Sequence, residues 1–463
     1  MEGDNSHVYT VDEALTAVGF GKFQYYILAY AGLGWISEAM EVMILSFVGP
    51  AVKLKWGLSS SEESLITTVV FAGMLVGAYS WGLISDNYGR RRGLLSVAIV
   101  STGAGFLSSF SPNYISLIIL RCLVGIGLGG GPVYSSWFLE FVPTPNRGTW
   151  MVVFSAFWSF GTVLEASLAW IILPRLGWRW LLALSSLPSF MALIFYICTP
   201  ESPRYLCMRG EISDASKILE KIANTNKRSL PFGKLTSTED DTHSLCLVQN
   251  KPVVSKAGLL SIINLLSSNL VRITLPLWLV FFGNAFSYYG IILLTSNLST
   301  GQISCLNSMG ESNLYKDVFF TSLAEFPGLV LAAILVDRIG RKLTMVLLFI
   351  TACCFLLPLV IHERQLVTTS LLFVARMCTA SAITVANIYA PEIYPTSIRS
   401  TGFGVASAVG RIGGMVCPLV AVELVSNCHQ TAAIFLFEAV MVVSIVGMVL
   451  LPHDTSGRAL TDD

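Results

Sequence analysis

Two glutamates, Glu38 and Glu41, lie in the apolar stretch GLGWISEAMEVMILSFVGP (residues 32–50), one helical turn apart and on one face of a helix. At the centre of a membrane-crossing helix an ionised carboxylate costs about 2.5–3.5 kcal/mol on insertion scales. Burial favours the neutral acid and a nearby cation favours the carboxylate, so such groups either bind protons or pair with bases. Two arginines occupy similar settings. Arg121 opens RCLVGIGLGGG and Arg411 lies in SAVGRIGGMVCPLV. A guanidinium such as Arg411 suits a ligand carboxylate; its alternative partners are Glu325 and Glu438. Glu165 is another acid in an apolar run, and Trp35, Trp137, Phe286, Tyr288 and Tyr289 offer either ring faces for a planar or cationic ligand or plain packing.

These residues need helices to position them. Of 463 residues, 54% are hydrophobic and only 13% charged, against about 25% charged in soluble domains. The composition predicts a polytopic, all-α membrane protein. Spans of about 20 apolar residues are expected near 24–48, 65–85, 93–110, 114–138, 148–172, 179–199, 271–295, 317–336, 343–361, 367–389, 401–425 and 431–451, twelve transmembrane helices in all. The long polar interruption at 200–270 divides the chain into an N-terminal six-helix half (1–199), a linker (200–270) and a C-terminal six-helix half (271–463). Within the linker, Ile212, Ala215, Ile218, Leu219 and Ile222 recur at helical spacing, which predicts a short amphipathic helix on the membrane surface followed by a flexible segment.

Lys22, Arg90, Arg91, Arg92, Arg147, Arg338, Arg341, Lys342, Arg399 and Arg458 fall on one side of this arrangement. Lys53, Lys55, Arg175, Arg179, Lys316 and Arg364 fall on the other. The richer side, which carries both termini, is expected to be cytoplasmic. Arg272, where the seventh span leaves that side, reads as a snorkelling residue. The sequon Asn297-Leu298-Ser299 then falls in an exterior loop and makes Asn297 a glycosylation candidate. Cys305 and Cys428 lie in exterior loops as well, and the remaining cysteines read as buried small side chains. The acidic N-terminus lacks a cleavable signal pattern, so the first span is expected to be an uncleaved anchor.

The halves repeat. GAYSWGLISDNYGRRR (77–92) matches GLVLAAILVDRIGRK (328–342), and Glu140-x-x-Pro-Thr-x-x-Arg147 matches Glu392-x-x-Pro-Thr-x-x-Arg399. Asp337 follows Asp86 by 251 residues and Glu392 follows Glu140 by 252, a single duplication reported by two unrelated motifs. Within each copy a small residue allows close helix approach and the later glycine a tight turn. Asp86, Arg90, Glu140 and Arg147, with Asp337, Arg341, Glu392 and Arg399, are expected to form a charged latch, a cytoplasmic gate. The duplicated loops predict the 6+6 pseudo-symmetric major facilitator fold.

With PESPRYL (200–206) and PHDTSGR (452–458), these motifs resemble the sugar-porter branch of the major facilitator superfamily. AVGFGKF (17–23) and EAMEVMILSFVGP (38–50) resemble its synaptic-vesicle-protein-related group, and most of all the plant nicotinate transporters, also called organic cation/carnitine transporters. The seventh span keeps Asn284, Tyr288 and Tyr289 but lacks the glutamines that bind sugar hydroxyls, which argues against a hexose.

The resemblance implies a secondary active carrier, alternating access about a midplane site, for nicotinate or N-methylnicotinate, or else for carnitine-like organic cations. It implies that Arg121 pairs with an acid on the first span and that Glu41 carries a coupled proton. Glu38 is then a second coupling carboxylate or a substrate contact, unless both glutamates simply neutralise Arg121. Substrate-binding candidates are Trp35, Trp137, Glu165, Asn284, Tyr288, Tyr289 and Arg411. Arg376 stands in the second half where Arg121 stands in the first. Expected partners are the small organic ion, a proton and the lipid bilayer, with no nucleic acid and a monomeric state. A non-transporting membrane binding protein is the rival of another class. No nucleotide loop, metal-ligand spacing or nucleophile elbow occurs in the sequence, so no catalytic residue, metal or cofactor is expected, and neither is an enzyme. The resemblance also places the protein in the plasma membrane.

Overall fold

The computed structural model describes residues 8–143, 147–236, 265–267, 270–306, 311–360, 365–394, 399–424 and 430–455. Its first-half helices are α1 (Val11–Val18), α2 (Lys22–Met43), α3 (Leu45–Trp56), α4 (Ser60–Tyr88), α5 (Arg90–Ser108), α6 (Tyr114–Leu128), α7 (Gly131–Leu139), α8 (Arg147–Leu176), α9 (Trp178–Ser185) and α10 (Leu187–Phe195). The polar middle gives α11 (Pro203–Met208) and α12 (Ile212–Asn226). The second half gives α13 (Val271–Leu306), α14 (Glu311–Leu323), α15 (Glu325–Ile339), α16 (Arg341–Leu356), α17 (Gln365–Ile393), α18 (Arg399–Pro418) and α19 (Gln430–Leu450).

Helices coincide with each stretch expected to span, and among the described residues ten are long and apolar enough to cross a membrane. The two that fall short, α5 and α18, are rich in Gly and Ser. Those small residues exchange hydrophobicity for close packing. The clearest seam joins α4 to α6: a Cβ on Gly77 would sit 2.0 Å from the Ile126 carbonyl oxygen, and one on Gly125 would sit 2.1 Å from that of Val70. Only glycine permits this backbone approach. The turns at Gly89 (φ +102°) and Gly340 (φ +86°) likewise use the left-handed region that glycine allows.

Apolar packing shows how the halves meet. One cluster, with Phe47, Val48, Trp178 and Leu182 from the first half and Tyr288, Tyr315 and Val318 from the second, joins them at the end remote from the termini. At the end that carries the termini, the cluster of the first half and linker draws, among the described residues, only on residues 9–235. The described conformation is therefore sealed at the remote end.

Two sequence expectations are corrected. The amphipathic helix α12 does not reserve its apolar face for lipid: Ala215, Leu219, Ile222 and Ala223 are buried in the first-half core together with Leu15 of α1. Asn226 accepts the Phe23 N–H (3.0 Å) at the start of α2. Tyr9 belongs to the same core, and Val8–Tyr9 pairs in parallel with Lys234–Leu235. The loop expected after the seventh span is helical to Leu306, because no proline interrupts the run after Pro276. Asn297 and Cys305 thus lie on helical backbone, and their side chains, like residue Cys428, are outside the described set.

Candidate functional site

Three buried ion pairs organise the interior. In the first, Arg121 of α6 donates from Nη1 to Glu41 Oε2 of α2 at 2.9 Å and from Nη2 to Ser108 Oγ, with both charged groups essentially inaccessible. In the second, Arg376 of α17 donates to Glu325 Oε1 of α15 from Nη2 (2.7 Å) and Nε (3.1 Å). The third joins the halves: Arg411 Nη2 of α18 lies 3.4 Å from Glu38 Oε1 of α2. Arg411 therefore pairs with neither Glu325 nor Glu438. It is also the most accessible of the three arginines, its side chain 17% exposed against 0% for the others.

Aromatic groups surround the loose Glu38–Arg411 contact. Trp35 packs on Phe154 (5.0 Å between centroids) and Trp158 (5.5 Å). A Cβ on Gly131 would meet both Trp35 and the Glu38 carboxylate, so indole and acid share one wall. Tyr289 stacks at a tilt on Phe71 (4.7 Å) across the halves and lies in the electrostatic range of both Arg411 and Glu38. Asn284 sits one turn before Tyr288 on α13, buried, with neither amide atom hydrogen-bonded among the described residues. Leaving such groups unpaired costs about 1–3 kcal/mol each, so the amide is open to a polar partner. Beside Glu38 a void of about 10 Å³, lined in part by Ser37, Ser101, Tyr134 and Ser189, has room for one water but no cargo.

Tyr288 belongs elsewhere. Its hydroxyl donates to Glu325 Oε1 (2.8 Å) and accepts from Trp158 Nε1 (2.7 Å), while Thr162 Oγ1 donates to Glu325 Oε2 (3.3 Å). Trp158 and Thr162 come from α8, so this network stitches the halves together. Trp137 is core: its indole N–H donates to the Pro200 carbonyl (3.2 Å), and its ring packs on Tyr30 and Phe141. Glu165 is not beside Arg411. It meets Ser185 Oγ at 2.7 Å and lies in the field of Glu41 and Arg121.

Of the expected latch, Arg90 bonds Glu140 (3.0 Å) and Asp86 (2.7 Å), and Arg341 bonds Glu392 (3.2 Å). Each pair stays within its own half. Arg147 does not join Glu140. It pairs with Asp12 of α1 (3.2 Å), which Arg204 also holds, because α1 docks where the loop motif was expected to close. The side chains of Asp337 and Arg399 are outside the described set. Sequence reasoning missed two helix caps: Glu201 accepts the Arg91 N–H (3.2 Å), and Asp454 accepts those of Arg341 (3.2 Å) and Lys342 (3.0 Å). Burial raises the pKa of Glu201 above the ordinary carboxylate range, against the lowering effect of its backbone hydrogen bonds. Their signal was present in PESPRYL and PHDTSGR, whose acids place negative charge at helix N-termini.

Residues 22–462 match the family described as sugar (and other) transporter. Organic cation/carnitine transporter 7 of Arabidopsis thaliana is 56% identical, over 99% of this chain and 97% of that protein. The synaptic vesicle 2-related protein of Xenopus laevis is 36% identical, over 98% and 82%. The inward open conformation of the xylose transporter XylE from E. coli superposes with a TM-score of 0.71 at 16% identity, covering 94% of this chain and 98% of that one, a likeness of fold alone.

Proposed function

The chain belongs to the sugar (and other) transporter family, and from that premise we propose that this multi-pass membrane transporter is a proton-coupled carrier of a small organic ion. Its cargo on this reading is nicotinate or N-methylnicotinate. The observation that carries it is the Glu38–Arg411 pair, a carboxylate from one half and a guanidinium from the other, held at 3.4 Å where the two structural pairs close to 2.9 and 2.7 Å. The carboxylate of either cargo takes Arg411, and the zwitterionic N-methylnicotinate, inserted between the two, exchanges one loose internal contact for two charge-assisted ones. Its ring would lie against Trp35 and Tyr289, with Asn284 as a further polar contact. Opening that pair removes one of the contacts that join the halves before they rock.

Arg121 and Glu41 supply the charge compensation on which proton coupling rests. The motif pairs Arg90–Glu140 and Arg341–Glu392 brace each half at its cytoplasmic end, with residues 1–199 and 271–463 as the rocking units and 200–270 as their linker. The protein works as a monomer in the plasma membrane with both termini cytoplasmic. A second reading, carnitine or another organic cation, is favoured by the name of the Arabidopsis relative and by Glu38 with its aromatic neighbours.

Uptake of labelled nicotinate, N-methylnicotinate and carnitine into proteoliposomes tests this. Saturable uptake of the aromatic acids that weakens in Arg411→Lys and Glu38→Gln supports the proposal. Carnitine uptake alone selects the second reading, and no uptake of any probe by folded protein rejects transport of these cargos in favour of a binding role.

A further inference from the structure

The Arg121 site holds more acid than base. Glu41 takes the guanidinium through Oε2, while its Oε1 has no hydrogen-bond partner among the described residues. Glu165, from α8, is wholly buried and its Oε1 is likewise unpartnered. The two acids reach the same region, Glu165 through Ser185 and Glu41 through Gly105, which Ser186 also borders. A Cβ on Gly105 would lie 2.9 Å from Glu41 Oε1 and 3.4 Å from Ser186 Cβ, while the adjacent Ser185 reaches Glu165 Oε2. Two carboxylates with one guanidinium carry a net charge of −1, which an apolar interior penalises heavily.

Hydrogen positions point the same way. Ser185 Oγ has one proton and two oxygen neighbours, Glu165 Oε2 at 2.7 Å and the Leu181 carbonyl at 2.8 Å. A carbonyl cannot donate. Both contacts are satisfied at once if Glu165 is the acid, donating to Ser185 Oγ, which donates in turn to the Leu181 carbonyl. Other charged groups near this face of α8 are already matched: Glu325, bonded to Thr162 one turn away, is neutralised by Arg376, and Glu38 by Arg411.

Resting on the reading of a proton-coupled carrier, we propose that the coupled proton is carried by Glu165, with Arg121 holding Glu41 ionised and Ser185 orienting the acid. One proton from water converts the Glu165 carboxylate to the acid and brings the cluster from −1 to neutral, and release to water on the opposite side restores the charge. Glu41 is then a positioning residue that occupies Arg121.

Proteoliposomes carrying labelled nicotinate, N-methylnicotinate or carnitine separate the steps. Exchange without a pH gradient reports transport itself, and a one-unit inward gradient supports about tenfold accumulation for one coupled proton. Glu165→Gln is expected to bring accumulation down to about the equilibrium level while exchange no longer responds to pH; tenfold accumulation by this variant overturns the proposal. Should the wild type exchange none of these probes, the transport reading fails and infrared spectroscopy of the purified protein still decides the proton's seat. A protonated-carboxyl band at neutral pH, lost in Glu165→Gln and kept in Glu325→Gln, supports it. A wild type without that band, or a Glu165→Gln protein that keeps it, contradicts it.

Discussion

The two halves each bury an arginine against a glutamate, and the difference between the two sites is a matter of counting. Around Arg121 there are two acids for one base, with one oxygen of each acid unpartnered among the described residues. Around Arg376 there is one acid for one base, and Glu325 collects donors from Arg376 and Tyr288, while Thr162 Oγ1 lies 3.3 Å from its other oxygen and 3.0 Å from the Ser159 carbonyl. On the proposal above, the first site changes its charge. The second is electrically complete, and because Thr162 and the Trp158 behind Tyr288 come from the opposite half, its completeness clasps the halves together. On that proposal, a duplicated scaffold holds a proton store in one half and a fastening in the other.

The largest effect is expected from breaking the complete site. Arg376→Leu strands Glu325 in the interior and should destabilise the protein by about 3–5 kcal/mol, read as a lowered unfolding temperature in detergent. Glu165→Gln sharpens the contrast: it removes the surplus acid, so thermal stability should hold or rise while acid-driven accumulation falls about tenfold for each unit of pH gradient. Glu325→Gln, which leaves Arg376 unmatched, should lose stability instead.

Arg411→Lys probes the contact outside both sites. A bidentate donor becomes a point charge, and the concentration for half-maximal uptake should rise about tenfold, equivalent to about 1.4 kcal/mol, with the proton dependence unchanged. The smallest change is Trp158→Phe. It removes one hydrogen bond worth about 1 kcal/mol from the clasp, and should speed exchange several-fold if opening the remote end limits turnover. Identical exchange rates would show that the clasp does not hold the closed state.

Much of this arrangement was legible in sequence. The spans declared themselves through apolar length, and the close approach at Gly77 through the small residue of the repeated motif. The Arg90–Glu140 and Arg341–Glu392 pairs came from a local motif read twice. What could not be read depended on how distant helices are rotated and docked. Glu38 finds Arg411 across 373 residues, a pairing that exists only where α2 faces α18. Ser185, Thr162 and Trp158 are unremarkable residue types in apolar runs, and only their neighbours make them functional candidates. Arg147 was misassigned because its partner Asp12 sits on a short helix whose docking site is made by α12, and sequence gave α12 to the membrane surface.

The most direct test of the difference between the halves is the infrared carboxyl spectrum of the wild type beside Glu165→Gln and Glu325→Gln at neutral pH. The account predicts a protonated-acid band in the wild type that disappears only with Glu165. A band that instead disappears with Glu325 would place the proton in the second half and contradict it.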